Sequence, residues 1–242
     1  MTFDVVELLG IPESAVVGER LTKKMLQELI VETTADSRLI AAKVSSAQVV
    51  AVLSPQTTSM SASRSSERTV LDVAVLHLAV ADTATAQDRA RLCDLLMRAM
   101  PRPLVLLTTA ASGLAELSVA VTRASQVDAA RSVIEVVLTV DAASAGTSAR
   151  CFAPLDRTDL WSWYSDVARR LAAGDAKPNG ALTAGEALRS RLELHRLAAE
   201  LIAVQRRLQR TKQMQERIDL NREAKRIRAK CSDVGAALYA PE

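Results

Sequence analysis

The sequence predicts an α+β fold: a mixed or antiparallel sheet of about five strands with helices on one face, followed by a long C-terminal helix. Short β-branched, apolar runs separated by turn residues occupy the first two thirds of the chain, and an amphipathic segment interrupts them. A stretch without Gly or Pro then follows. The composition indicates a globular core, since 49% of the residues are hydrophobic. Only 2% are aromatic, so Val, Leu, Ile and Ala must supply most of that core.

Five segments have the character of strands. Residues 70–80 are almost continuously apolar, which is typical of a central strand buried on both faces. The Ser- and Thr-rich residues 56–68 before them predict an exposed loop. Successive strands with one intervening helix favour a sheet whose helices lie on one face. The predicted strands are residues 48–53, 70–80, 104–108, 117–122 and 133–140.

Apolar residues at helical spacing predict the helices of the N-terminal body, residues 1–173. Asp159 is a predicted N-cap for the last of them, and Pro101 must end the helix before it. Residues 142–148 are small and predict a loop, and residues 174–182 predict a linker. The predicted helices are residues 4–9, 19–32, 36–44, 86–100 and 159–171.

The C-terminal segment, residues 183–235, predicts a long helix with coiled-coil-like spacing. Thr183 and Glu186 form the pattern of a capping box, and Gly235 is a residue suited to end a helix. The apolar stripe loses its register at Thr211. The absence of Gly and Pro favours one continuous helix, and a helical hairpin is the alternative. The stripe consists of Leu194, Leu197, Leu201, Val204 and Leu208.

This segment is basic, whereas the remainder of the chain is mildly acidic. Residues 186–230 contain thirteen Lys and Arg against six Asp and Glu, a net charge of +7 in a chain of net charge +3. Two interpretations stay open: a solvated helix face and a face that binds nucleic acid phosphates. The candidate nucleic-acid-binding residues are Arg206, Arg207, Arg210, Lys212, Arg217 and Arg222.

Motifs for known chemistries are missing from the sequence. It has no GxxxxGK[ST] or GxGxxG phosphate loop, no GxSxG nucleophile motif and no zinc-ligand spacing, so we predict no catalytic residue, cofactor or metal. His77 and His195 lack a Ser or Cys partner in sequence. The one enzymatic alternative is a divergent metal-dependent nuclease that would use Asp72, Glu116 and Glu135, which lie on or beside predicted strands.

The spacing of the cysteines and the hydropathy of the sequence indicate the cellular compartment. Cys93, Cys151 and Cys231 are scattered and form no CxxC pair, which favours a reducing environment. No apolar run approaches the ~20 residues of a membrane span, and the N-terminus lacks the basic region of a signal peptide. We therefore expect a cytoplasmic protein without a membrane segment.

Four stretches together resemble a known prokaryotic family. They are Ser-Pro-Gln-Thr-Thr at residues 54–58, the apolar run at 70–80, Met-Pro-Arg-Pro-Leu-Val at 100–105, and residues 212–223, Lys-Gln-Met-Gln-Glu-Arg-Ile-Asp-Leu-Asn-Arg-Glu. The last is similar to the C-terminal signature of the family catalogued as domain of unknown function 4391, with Met214 in place of an aromatic residue and Gln215 in place of Asn. The resemblance covers about residues 20–235. It implies gene neighbours of the helicase and DNA methyltransferase type, in restriction-like or phage-defence clusters.

These observations lead to one expected function and two alternatives. We expect a non-enzymatic accessory or scaffold subunit of a DNA-processing complex, whose C-terminal helix docks a helicase- or methyltransferase-type partner. The alternatives are the nuclease and a stand-alone protein that binds nucleic acid without sequence preference. The oligomeric state is not predicted. The candidate partner-binding residues are Met214, Arg217, Ile218, Leu220 and Asn221.

Overall fold

The computed structural model describes residues 5–30, 32–65, 68–124, 132–142 and 155–240. Most of the predicted loop at residues 142–148, and Cys151, lie outside these ranges. The helices are α1 (Val5–Leu9), α2 (Lys23–Ile30), α3 (Thr34–Lys43), α4 (Ala86–Ala99), α5 (Leu160–Ala173), α6 (Ala184–Arg210) and α7 (Met214–Leu238). The strands are β1 (Val16–Leu21), β2 (Val44–Leu53), β3 (Ser63–Arg64), β4 (Thr69–Val70), β5 (Val73–Val80), β6 (Leu104–Ala110), β7 (Ala115–Ala124) and β8 (Ser132–Asp141).

Six strands form one mixed sheet in the order β1-β2-β5-β6-β7-β8. All neighbours run antiparallel except β5 and β6, which are parallel, and α4 makes the crossover that a parallel pair needs. Thr85 and Asp88 form a capping box that begins α4, and Pro101 follows its end. Two antiparallel three-stranded units are thus joined through the β5–β6 pair.

Each face of the sheet has its own apolar core. Val75 and Leu107 contribute to the core under α5 and the first turns of α6. Leu76 and Leu78 contribute to the opposite core, under α2, α3 and α4. The prediction of helices on one face is therefore wrong. A continuously apolar strand such as β5 needs cover on both faces, because successive side chains point to opposite sides of a sheet.

The N-terminal third differs from the sequence prediction in two places. The predicted helix at residues 19–32 is split into the end of β1 and the helix α2. β1 is an edge strand with exposed residues along most of its length, so its sequence carries no apolar alternation. The predicted loop at residues 56–68 contains β3, which pairs with β4. β3 and β4 form a separate two-stranded sheet, and it is β1 that gives the main sheet six strands instead of about five.

The C-terminal segment is a helical hairpin, and the prediction of one continuous helix at residues 183–235 is wrong. α6 ends at Arg210, and α7 begins at Met214 and folds back along α6. The connecting Thr211 has φ −81° and ψ 126°, and Gln213 has φ −75° and ψ 126°. Any L-residue adopts this extended conformation, so the turn needs neither Gly nor Pro.

The base of the hairpin is attached to the body. The main-chain amide of Asn179 donates to the Leu238 carbonyl at 3.0 Å, its side-chain amide donates to the Ala237 carbonyl at 3.0 Å, and the Ala240 amide donates to the Lys177 carbonyl at 2.9 Å. Leu238 is also part of the core that lies under α5 and the first turns of α6. α7 continues through Gly235, so the prediction that this residue ends the helix is wrong.

Candidate docking surface on the C-terminal hairpin

The outer part of the hairpin forms an arm, defined here as residues 197–231. Its two helices pack together through a small core that is separate from the two cores of the body. The first turns of α6, with Ala187 and Leu188, belong to the body instead. The arm is therefore held together mainly by contact between its own helices. The buried residues of its core are Leu197, Val204, Leu220, Ala224 and Ile227.

The apolar stripe of α6 has its partner within the same chain. Leu197 and Val204 are buried, Leu201 and Leu208 are partly buried at the edges, and all four pack against α7. The change of register at Thr211 marks the place where the stripe ends and the chain reverses. A stripe of this kind predicts a helical partner but does not say whether that partner belongs to another molecule.

The candidate partner-binding residues separate into two groups. Leu220 is only 2% exposed and belongs to the arm core, so it is not available to a partner protein. Met214 is 72% exposed and Ile218 is 36% exposed. These two lie four residues apart on α7 and therefore share one face of the helix. Arg217 and Asn221 are exposed beside them.

The arm also carries a dense positive charge. Residues 197–231 contain ten Lys and Arg against four Asp and Glu, a net charge of +6. Arg222 pairs with Asp219 at 3.4 Å. The side chains of the other candidate cations are all exposed, and none of them makes a hydrogen bond or ion pair with a described residue. These are Arg206, Arg207, Arg210, Lys212 and Arg217.

The hairpin changes which cations lie together. Arg206 and Arg210 are four residues apart in the last turns of α6 and share a face. Arg217 lies in the first turn of α7, on the other side of the connecting turn. Along a single helix these three residues would have formed one row. In the hairpin they surround the tip of the arm together with Lys212.

The three carboxylates of the nuclease alternative each face an arginine of their own. Asp72 Oδ1 lies 2.8 Å from Arg102 Nη1. Glu116 accepts two hydrogen bonds from the guanidinium group of Arg89, at 2.8 and 2.9 Å. Glu135 lies 4.0 Å from Arg123.

The sheet register keeps these carboxylates apart. Glu116 pairs with Thr108, and Thr108 pairs with Leu78, so Glu116 lies level with Leu78. Leu78 is six residues further along the chain than Asp72. At about 3.3 Å per residue this is about 20 Å. Glu135 is on β8, three strands from β5, which is about 14 Å at about 4.8 Å per strand. Among the described residues, no group of three His, Cys, Asp or Glu side chains is placed to hold a metal ion.

The remaining chemically versatile residues have structural surroundings. His77 Nε2 lies 2.7 Å from Thr109 Oγ1, and burial lowers the pKa of this imidazole, so it is neutral near pH 7. Burial raises the pKa of the Cys93 thiol to about 11, which keeps it protonated. Cys93 and Cys231 are both free thiols. A neutral, half-buried imidazole and a protonated, buried thiol are typical of residues that support the fold.

One arginine-lined cavity was not found by reading the sequence. It lies beside the base of the hairpin, between α5, the beginning of α6 and strands β7 and β8. Its arginines, Arg68, Arg169 and Arg189, come from three separate segments, so no local motif links them. The one available signal was Trp161 close to Arg169 in sequence, a pairing that suits nucleobase stacking.

The chain belongs to the family described as domain of unknown function (DUF4391), whose family model matches residues 9–230. No curated protein and no solved structure matches it. Across the described residues, no helix is both long enough and apolar enough to cross a membrane.

Proposed function

We propose that this DUF4391 protein is an accessory subunit of a DNA-processing assembly and that its arm docks a partner protein. The observation that carries this proposal is the exposed apolar face of α7, where Met214 and Ile218 lie among charged side chains. A large, flexible Met side chain held in solvent is suited to filling an apolar pocket on another protein. The arm core leaves this face free, because Leu220 and Ile227 point between the helices.

The surroundings of this face specify the chemistry of the partner. Asn221, Arg222 and Lys225 follow Ile218 at steps of three, four and seven residues, so they extend the same helix face. Apolar anchors with basic neighbours fit an apolar pocket that has an acidic rim. We therefore expect an acidic surface on the partner.

The DNA-processing context and the accessory role rest on different arguments. The context, with a restriction-like or phage-defence setting and a helicase- or methyltransferase-type partner, rests on what membership of the family implies about neighbouring genes. The accessory role is supported by the wide separation of Asp72, Glu116 and Glu135, since two-metal cleavage needs carboxylates that share ions about 4 Å apart.

The test is affinity purification of the tagged full-length chain from its native cells. The Met214→Asp/Ile218→Asp double variant should lose a partner that the unchanged chain retains, because it places two carboxylates on the docking face. Leu71→Asp is the matched control, since Leu71 is an apolar residue on the body that is 53% exposed. If all three chains retain the same proteins, the α7 face is not the docking surface.

A second function, nucleic acid binding by the tip of the arm, is favoured by the cations there. Arg206, Arg207, Arg210 and Lys212 are exposed, and no carboxylate among the described residues pairs with them. Such charges bind phosphates without reading sequence, and the affinity falls as salt increases. This surface adjoins the docking face, since Arg217 lies beside Met214 and Ile218 and also at the tip.

A further inference from the structure

The cavity beside the base of the hairpin has the size and lining of a ligand site. Its volume is about 510 Å³, within the range of roughly 300–1,000 Å³ that small-molecule pockets occupy. It is open on one side, and its lining includes the first residues of α6. The side chains that matter for its chemistry are Arg68, Glu135, Trp161, Ser165, Arg169 and Arg189.

Arg68 is fixed in place at one wall of the cavity. Its Nη2 donates to the Thr122 carbonyl at 3.0 Å. Its guanidinium carbon lies 3.8 Å from the ring centroid of Trp161, in a cation–π contact. Trp161 in turn stacks on Tyr164, with ring centroids 5.8 Å apart, and Tyr164 is fully buried. A planar, cationic and aromatic surface is therefore held rigidly at this wall.

Arg169 and Arg189 bring positive charge to the other walls. Arg169 pairs with the Asp166 carboxylate at 3.2 Å, and its Nη1 donates to the Leu182 carbonyl at 3.5 Å. Asp166 also pairs with Arg170, at 3.3 Å. Arg189 lies over the first turn of α6, against Gly185, and makes no hydrogen bond or ion pair with any residue in the described ranges. The donors left for an anion are therefore Arg169 Nε, which has no partner in the described part of the chain, and the guanidinium group of Arg189.

The two carboxylates of the cavity are already engaged. Glu135 lies 4.0 Å from Arg123. Asp156 accepts a hydrogen bond from the Thr158 amide at 2.8 Å, and the hydrogen bonds of Thr158 lower the pKa of its carboxyl group. Three guanidinium groups thus face two carboxylates, so the lining is positive.

Two buried polar atoms at this site have no partner in the described part of the chain. They are Ser165 Oγ and Arg169 Nε. Ser165 as a whole is only 5% exposed, so its hydroxyl group was moved out of water without a compensating hydrogen bond. A ligand oxygen that reaches these atoms after a small side-chain adjustment would supply the missing acceptor.

We infer that this cavity binds a nucleotide phosphate, carried by a free mononucleotide or by the 5′ end of a nucleic acid strand. Planar guanidinium groups match phosphate oxygens in geometry and charge. The cavity is larger than a phosphate ion needs, and the guanidinium plane of Arg68, backed by Trp161, is a flat surface of the kind on which a nucleobase stacks. This inference uses no residue of the arm and does not depend on partner docking.

The experiment is isothermal titration calorimetry of the full-length chain with three kinds of probe. The probes are inorganic phosphate, the mononucleotides AMP and GMP, and a short DNA strand with either a 5′-phosphate or a 5′-hydroxyl group. We expect a nucleotide or the 5′-phosphorylated strand to bind, and the stronger of the two identifies the source of the phosphate. Two results would overturn the inference: binding of inorganic phosphate alone, or no binding of AMP and GMP at about 1 mM together with equal binding of the two strands. Equal binding of the two strands by itself is what the arm tip would give, so the mononucleotides decide that case.

Three variants connect the binding to the cavity. Arg189→Gln removes an exposed rim charge that makes no hydrogen bond or ion pair within 4 Å among the described residues and has only a longer-range attraction to Glu186, so its effect mainly reports the site. It should weaken binding about tenfold or more, as should Arg169→Gln, since each deletes a charge-assisted hydrogen bond. Arg20→Gln is the matched control, because Arg20 is exposed on β1 at the opposite edge of the sheet, and it should change the affinity less than about twofold. Equal weakening by Arg20→Gln and Arg189→Gln would contradict the cavity as the site.

Discussion

The division of the α7 signature into buried and exposed residues makes a quantitative prediction. Leu220→Ala removes a side chain that is 2% exposed and packs in the arm core. Leu→Ala substitutions in cores cost about 2–5 kcal/mol, and we expect about 2–3 kcal/mol here, because two helices can close over a cavity more easily than a body core can. Met214→Ala, at a position 72% exposed, should cost less than about 0.5 kcal/mol.

Hydrogen exchange followed by mass spectrometry measures this difference locally. Since the arm core is separate from the main cores, Leu220→Ala should speed exchange of arm amides about 30- to 150-fold, at about 1.4 kcal/mol per factor of ten, and leave β5 unchanged. Met214→Ala serves as the control within the same helix. Unchanged arm exchange in Leu220→Ala, or equal acceleration in both variants, would show that the packing argument is wrong.

Two further predictions concern charge. Replacing Arg206, Arg210 and Arg217 together by Ala should reduce the slope of log binding constant against log salt concentration, measured with duplex DNA, by up to about 2.7, at about 0.9 per phosphate contact. The control replaces the exposed body residues Arg20, Lys24 and Arg38 together and should leave the slope unchanged. Equal slopes for the two variants would exclude the arm tip as the phosphate-binding surface. The second charge prediction concerns Asp36, whose buried carboxyl group has its pKa held at about 2, below its ordinary 3.8, by the hydrogen bond from Arg91. The paired carboxylate therefore stabilises the fold by about 2 kcal/mol above pH 4, and this stabilisation is lost as the pH falls through 2. In urea unfolding, Asp36→Asn should lower the free energy of unfolding, and the loss should be larger at pH 6 than at pH 3. A loss of the same size at both pH values would refute the assignment.

Local sequence signals predicted much of the body. The apolar run of β5, the amphipathic pattern of α4, and the cap of α5 by Asp159 are each specified within about a dozen residues. All three elements are present close to their predicted bounds. β1 was missed because an exposed edge strand has no buried face, and the apolar alternation that marks a strand arises only when one face is buried.

The hairpin and the cavity depend on information that is not local. Thr211 and Gln213 are ordinary residues in an allowed extended conformation, and the helix reverses there because the two apolar stripes bury each other. The cavity joins Arg68 to Arg169 across a hundred residues of chain. Sequence spacing identifies neither, since both arise from tertiary packing.

The attachment of the hairpin determines how partner binding at the arm can affect the rest of the molecule. α6 runs without interruption from Ala184, at the cavity wall, to Arg210, at the tip of the arm. The base is held by the Asn179 and Ala240 hydrogen bonds and by Leu188 in the main core. The first turns of α6, which carry Arg189, are thus packed on the body, whereas the outer part of the helix belongs to the arm. The cavity and the docking face at Met214 and Ile218 therefore lie towards opposite ends of the hairpin, the first beside the start of α6 and the second at the start of α7.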